Sequence, residues 1–216
     1  MNYECRIKQI VEVAYERLCG KITGQRVDIS NEASLQLQLA SILKTLGELY
    51  EETPDERFNI ELEKGVTLNG GKFVKSGTEK ANIDIWFSLE NFKTGEKHAC
   101  AIELKYFKRS NHREPNNRYD VFKDLHNLEC YGGFVGSGFL LVATDHSHYI
   151  NQEKLSKSTK DFDFREGRSY KAGTELVYRT QNPYGPPIKL KGSYDFTWRT
   201  VETGLNFLFI SVDPCE

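Results

Sequence analysis

The sequence predicts a mixed α/β domain, and three observations carry that expectation. Apolar residues recur at helical spacing as far as about residue 50, and from Phe58 the rhythm becomes strand-like. A further helical stretch at 117–131 is followed by GFLLVAT at 138–144, a continuous apolar run suited to a strand covered on both faces. The order is therefore helix, helix, three strands, helix, strand, then more strands.

Each element has its own signal. Ile7, Ile10, Val11, Ala14 and Leu18 form one helical stripe over the first eighteen or so residues, and Gly20 and Gly24 punctuate a turn after it. Ser30 or Asn31 caps a second helix, which carries Leu35, Leu39, Ile42, Leu46 and Leu49 to about Glu51 and ends at Thr53-Pro54-Asp55. Strands follow at Phe58–Val66, Asn82–Leu89 and His98–Phe107, with turns at Asn69-Gly70-Gly71 and Lys93-Thr94-Gly95. The helix at 117–131 has Val121, Leu125 and Leu128 on one side and stops at Gly132-Gly133. Residues 146–171 are polar without a clear period and read as helix or loop. Glu175–Arg179 reads as a strand, Asn182–Pro187 as an irregular loop, and Tyr194–Val201 and Asn206–Val212 as two strands joined at Glu202-Thr203-Gly204.

Composition narrows the class. The 216 residues suit one domain, 1–216, with a core at about 31–144, an N-terminal helix and a β-rich C-terminal extension. A net charge of −2 excludes a histone-like binder, so any nucleic-acid contact must come from a local basic patch. No apolar run is long enough to span a membrane, and the charged N-terminus lacks the core of a signal peptide. Five scattered cysteines without a CxxC pair indicate neither a disulfide framework nor a zinc ribbon, and the expectation is a reduced, cytoplasmic setting.

Chemistry concentrates in NIDIWF at 82–87 and CAIELKYF at 100–107. Alternation in the second strand puts Cys100, Ile102, Leu104 and Tyr106 on one face, and Ala99, Ala101, Glu103, Lys105 and Phe107 on the other. The two alanines leave space beside the charged pair. In the first strand Ile83, Ile85 and Phe87 share an apolar face, and Asp84 points the opposite way. A hairpin through Thr94-Gly95 can bring Asp84 and Glu103 together. Two carboxylates converging in an apolar sheet need a compensating charge, and Mg2+, which takes oxygen ligands, is the natural one. Such an ion polarises a phosphodiester and activates a water, while Lys105 helps to orient the hydroxide and to stabilise the developing charge. The plainer reading is a solvated Glu103–Lys105 pair on an open sheet face with Asp84 a stray edge residue.

Asp84, eighteen intervening residues with one turn, then Glu103-Leu104-Lys105 and a helix: this pattern resembles the bipartite signature of the PD-(D/E)XK nuclease superfamily. Ile83 stands where the name-giving proline would be. The resemblance covers residues 31–144 and implies a restriction-endonuclease-like fold, a mixed central sheet flanked by helices, here with extra C-terminal strands. It implies a Mg2+-dependent endonuclease acting on DNA, with Mn2+ able to substitute, and with Asp84, Glu103 and the Leu104 carbonyl as metal ligands. Glu32, on the stripe of Leu35, Leu39, Ile42 and Leu46, is the matching auxiliary carboxylate and is expected to point inward; its alternative role is to complement the helix dipole. A homodimer is compatible with this reading, because double-strand cleavage often uses two active sites.

Between Lys105 and Lys123 six basic residues face two acidic ones, and Lys108, Arg109, Arg113, Arg118 and Lys123 are the candidate phosphate contacts. Lys123 and Asp120 either face the site or are ordinary solvent charges. His112, His146 and His148 read as loop residues, since no third ligand is suitably spaced. Gly132-Gly133 and Gly136-x-Gly138 follow a helix and precede a strand, the wrong order for a phosphate loop. Tyr184, Tyr194, Phe196 and Trp198 could stack on bases, but core packing is the simpler role. Two other readings stay open: a catalytically silent nuclease-fold module that binds nucleic acid or regulates, and a toxin or effector nuclease restrained by a partner.

Overall fold

The computed structural model describes residues 2–67, 73, 77–111 and 113–215, so the expected turn at 69–71 and His112 lie outside the described residues. Helix α1 runs from Tyr3 to Thr23 and α2 from Glu32 to Leu49. Gly20 lies inside α1, not in a turn, and the helix ends at Gly24. One glycine costs a helix about 1 kcal/mol, and burial of Ile22 in the last turn favours continuing it. Asn31 caps α2: its side chain accepts the Ser34 N–H while the Ser34 hydroxyl accepts the Asn31 N–H.

Strands β1 (Glu56–Thr67), β2 (Lys80–Asn91) and β3 (Lys97–Phe107) form an antiparallel meander. The β2–β3 turn is set by Gly95 at φ +76 and by Asn91 Oδ1, which accepts the N–H groups of Lys93 and Thr94. Helix α3 (Glu114–Glu129) crosses back, and β4 (Ser137–Thr144) pairs parallel to β3. A short helix α4 (His148–Asn151) and the two- or three-residue strands β5 (Arg168–Tyr170), β6 (Glu175–Leu176), β7 (Ile188–Lys189) and β8 (Tyr194–Phe196) follow. The chain then adds β9 (Trp198–Thr200) and β10 (Asn206–Val212) to the main sheet.

The result is an α/β architecture with a mixed six-stranded sheet in the order β1-β2-β3-β4-β10-β9. Two short hairpin-like pairs, β5 with β8 and β6 with β7, stand apart from it. The expected single strand Tyr194–Val201 is thus two strands in different sheets, and Glu175–Arg179 is strand only at its first two residues.

Each face of the sheet has its own core. Ile7, Ile10 and Leu18 of α1 and Leu35, Leu39 and Leu43 of α2 pack on Phe87, Ile102, Leu104 and Leu141. On the other face, Val121, Phe122, Leu125 and Leu128 of α3 pack on Leu140 and Val142, together with Phe162, Phe164 and Phe196. Ala99 and Ala101 belong to this second core and are buried, so the space beside Glu103 is filled rather than open.

A buried ion pair ties α1 to β1. The Arg6 guanidinium donates to both oxygens of Glu56, at 2.9 and 2.8 Å, and Tyr3 adds its hydroxyl at 2.9 Å. The Arg6 contact pulls the Glu56 carboxyl from its ordinary 4.5 down to about 2. The pair therefore stabilises the fold fully above about pH 4.5 and loses that contribution as pH falls towards 2. Glu56→Gln should remove this part of the acid dependence and destabilise the protein by about 3 kcal/mol at neutral pH. Urea denaturation across that pH range measures both; parallel profiles for the two proteins would contradict the assignment.

Candidate active site

The sheet is interrupted at one residue, Asp84. Strands β2 and β3 pair from Glu90–Lys97 to Ile85–Ile102 and then part; one further step in that register sets Asp84 opposite Glu103. Here the Asp84 carboxylate itself takes the Leu104 N–H, at 2.7 Å to Oδ2. The other ladder breaks at the same place: β1 pairs with β2 at Leu62–Ile85 and Lys64–Ile83, and Glu63 between them sits at φ +53. A non-glycine residue in the left-handed region is strained, and such strain gathers at functional positions. Gln36, one turn beyond Glu32 on α2, bridges the gap by donating to the Asp84 carbonyl at 2.7 Å and to Glu63 Oε1 at 2.9 Å.

The break also redirects β2. Ile85 and Phe87 pack under α1 and α2 as expected, but Ile83 joins the opposite core with Ala81. Strict alternation fails there because the β1 ladder skips the Glu63–Asp84 step before resuming at Lys64–Ile83, while the β3 ladder ends.

The charged groups converge on Lys105. Its Nζ lies 2.6 Å from Asp124 Oδ2 and donates to the Leu104 carbonyl at 2.8 Å. Burial works against the ammonium, but Asp124, Glu32, Asp84 and Glu103 outweigh it and raise the Lys105 pKa above the ordinary lysine value. Lys105 is thus a permanent cation. Glu103 and Asp124 are completely buried, and Asp84 nearly so. The Tyr131 hydroxyl donates to Glu103 Oε1 at 2.8 Å; burial, reinforced by the Glu103 charge, raises the phenol's pKa, so it stays protonated. Among the described residues Asp124 Oδ1 has no hydrogen-bond partner.

Glu32 heads the α2 stripe and is exposed overall at the first helical position, but its carboxylate reaches in towards β3 and Lys105, where burial raises its pKa. Its Oε2 accepts the Tyr106 N–H at 3.3 Å, which places it at the mouth of the site. Of the basic candidates, Lys108, Arg109 and Arg113 are exposed. Arg118 is not available to phosphate: it is fully buried, pairs with Glu114 and the His148 carbonyl, and lies over the rings of Tyr149 and Phe164. Lys123 pairs with Asp120 and is largely covered. Tyr194 and Phe196 are buried, whereas Tyr184 is exposed.

Among the described residues no three His, Cys, Asp or Glu side chains converge in a way that could hold a metal ion. The rings of His146 and His148 lie 4.3 Å apart without a third ligand. Around Lys105 the groups are all oxygen ligands of the kind Mg2+ takes, but Asp84, Glu103 and Glu32 are not gathered into a three-carboxylate set, and the Leu104 carbonyl already accepts from Lys105. A cleft of about 770 Å³ at Gln25–Ile29, Asp145 and Thr203–Leu205 includes none of these carboxylates, so the site is not its floor.

Three members escaped the sequence reading. Asp124 had a usable signal: it is an acid on the same helical face as Val121, Leu125 and Leu128. Tyr131 and Gln36 had none, being ordinary residues until the fold aims them. Asp124→Ala should destabilise the protein by about 3 kcal/mol, at the lower end for a broken buried pair because three other carboxylates still surround the ammonium. Chemical denaturation measures it, and a loss below about 1 kcal/mol would mean the pair is not a structural one. In comparisons with protein-family models, curated proteins and solved structures, no match to this chain was found.

Proposed function

We propose that the chain is a metal-dependent nuclease of the PD-(D/E)XK kind that hydrolyses phosphodiester bonds in DNA. The observation that carries the reading is the placement of Asp84 and Glu103 at the parted end of β2 and β3, with the Lys105 ammonium among the carboxylates. The order α2, β1, β2, β3, α3, β4, with β3 parallel to β4, supports a restriction-endonuclease-like core, and β9 and β10 are the C-terminal additions.

In this reading Asp84 and Glu103 hold Mg2+, with the Leu104 carbonyl and Glu32 as further oxygen donors. The bound ion supplies charge neutralisation and a more acidic water. The chain does the positioning. The Leu104 N–H fixes the Asp84 carboxylate, and Tyr131 fixes that of Glu103. Without a bound ion, the surrounding negative charge favours the protonated form of Lys105. Its part is to orient an anionic oxygen and to stabilise charge that develops at phosphorus. Lys108, Arg109 and Arg113, exposed just beyond β3, supply phosphate contacts.

A second reading, a silent nuclease-fold module that binds DNA without cleaving it, draws on one observation: Lys105 is held by Asp124. Cleavage assays separate the two. Purified protein should cut DNA with Mg2+ or Mn2+ and stop when EDTA removes the ion. Lys105→Ala should lower the rate by about 100- to 1,000-fold while DNA binding persists. Binding of DNA without cleavage under any metal selects the silent module; neither cleavage of DNA or RNA nor metal binding would sink the nuclease.

A further inference from the structure

The C-terminal end of α3 carries another cluster of reactive groups, which the proposed nuclease does not use. Cys130 caps the helix, and its Sγ lies 3.8 Å from His126 Nε2, one turn earlier. The same imidazole presents Nδ1 to Glu129 Oε2 at 3.5 Å. Glu129 is fully buried, and its Oε1 accepts from the N–H groups of Lys191 and Gly192 and from the Tyr194 hydroxyl, at 2.9, 2.6 and 2.7 Å. Thiol, imidazole and anchored carboxylate thus stand in line: the 3.5 Å approach of Glu129 to the ring is a charge contact rather than a hydrogen bond, and the ring is placed to take the thiol proton.

The environment favours a charged imidazole. The contacts with Cys130 and Glu129 outweigh burial and raise the His126 pKa to about 9. A cation in the last turn of α3 also complements the helix dipole.

The chain brings a second thiol to the same place. The Cys215 N–H donates to the Glu129 carbonyl at 2.8 Å. Bond lengths then keep the Cα atoms of Cys130 and Cys215 within about 7 Å, and disulfides span about 4.4–6.8 Å. Both thiols are free; Cys215 is exposed and Cys130 partly so, whereas Cys19 and Cys100 are buried.

We propose that Cys130 is a hydroperoxide-sensitive nucleophile and that Cys215 is its resolving thiol. The Cys130 thiolate attacks one peroxide oxygen, an S–O bond forms and the O–O bond breaks. The departing alkoxide or hydroxide takes the proton held by His126, so the sulfur is oxidised by two electrons to a sulfenic acid and the peroxide is reduced. The Cys215 sulfur then attacks the Cys130 sulfur, the S–O bond breaks, and hydroxide leaves with the Cys215 proton as water. The product is a disulfide that pins the C-terminal tail to α3.

The full chain, treated with hydrogen peroxide at neutral pH, quenched with a maleimide and mapped by peptide mass spectrometry, tests this. Cys130 should be lost about tenfold faster than Cys5, an exposed thiol in the same molecule, because an imidazole base stands beside its sulfur. The product should be a Cys130–Cys215 linkage. His126→Gln should slow Cys130 to the rate of Cys5, and Cys215→Ser should leave a sulfenic acid at Cys130 that dimedone labels. Equal rates at Cys130 and Cys5, no slowing in a folded His126→Gln, or a Cys130 sulfenic acid that persists unlinked in the unaltered protein would each overturn the proposal. If His126→Gln does not fold, the comparison within the unaltered chain decides alone. No outcome depends on nuclease activity.

Discussion

One contact organises this molecule: the Asp84 carboxylate holding the Leu104 N–H. A sheet normally satisfies such a group with a neighbouring main chain. Here a side chain does so, and the β2–β3 ladder ends beside it while Glu63 adopts a left-handed conformation on the other flank. Continued by one step, the register of the two strands would set Asp84 opposite Glu103, and both carboxylates are buried there. Everything else at the site fills or braces that opening: Gln36 from α2, Tyr131 beyond α3, and Glu32 at the rim.

A lysine offsets part of the negative charge at this point. Four carboxylates surround the Lys105 ammonium, and the buried Asp124 makes the closest contact. Removal of the ammonium would leave these acids uncompensated in a low-dielectric setting, where such charge is expensive. Stability and chemistry are therefore coupled at this point, and the same ammonium that balances the resting site is the group proposed to meet a phosphate. A divalent cation entering between Asp84 and Glu103 would loosen the hold of these two acids on Lys105, leaving Asp124 to position it.

Much of this was legible in the sequence, for physical reasons. The hairpin and its turn were readable because alternation and a glycine signal are local, and counting residues through Thr94-Gly95 gives the observed register, which ends one step before Asp84 and Glu103. The faces of β3 came out as alternation requires, with Ile102 and Leu104 on one side and Ala101 on the other. Ile83 did not, because alternation assumes an unbroken strand. Arg118 illustrates another limit: a basic residue in a polar segment looks like a phosphate contact until its stem is buried between aromatic rings. Beyond residue 146 the strands are two or three residues long, too short to show a period, and their positions depend on Phe162, Phe164 and Phe196 reaching the α3 core. Residues 194–201 kept the composition of one strand while splitting between two sheets, a change of partner that no local pattern records.

The proposed nuclease needs a divalent cation bound by Asp84 and Glu103. A crystal structure of the protein grown with Mn2+, with anomalous data collected near the manganese edge, tests it most directly. The account predicts an anomalous peak in contact with both the Asp84 and the Glu103 carboxylates, with Lys105 still near Asp124. A saturated crystal with no peak at this position, the ammonium alone balancing the carboxylates, would contradict it.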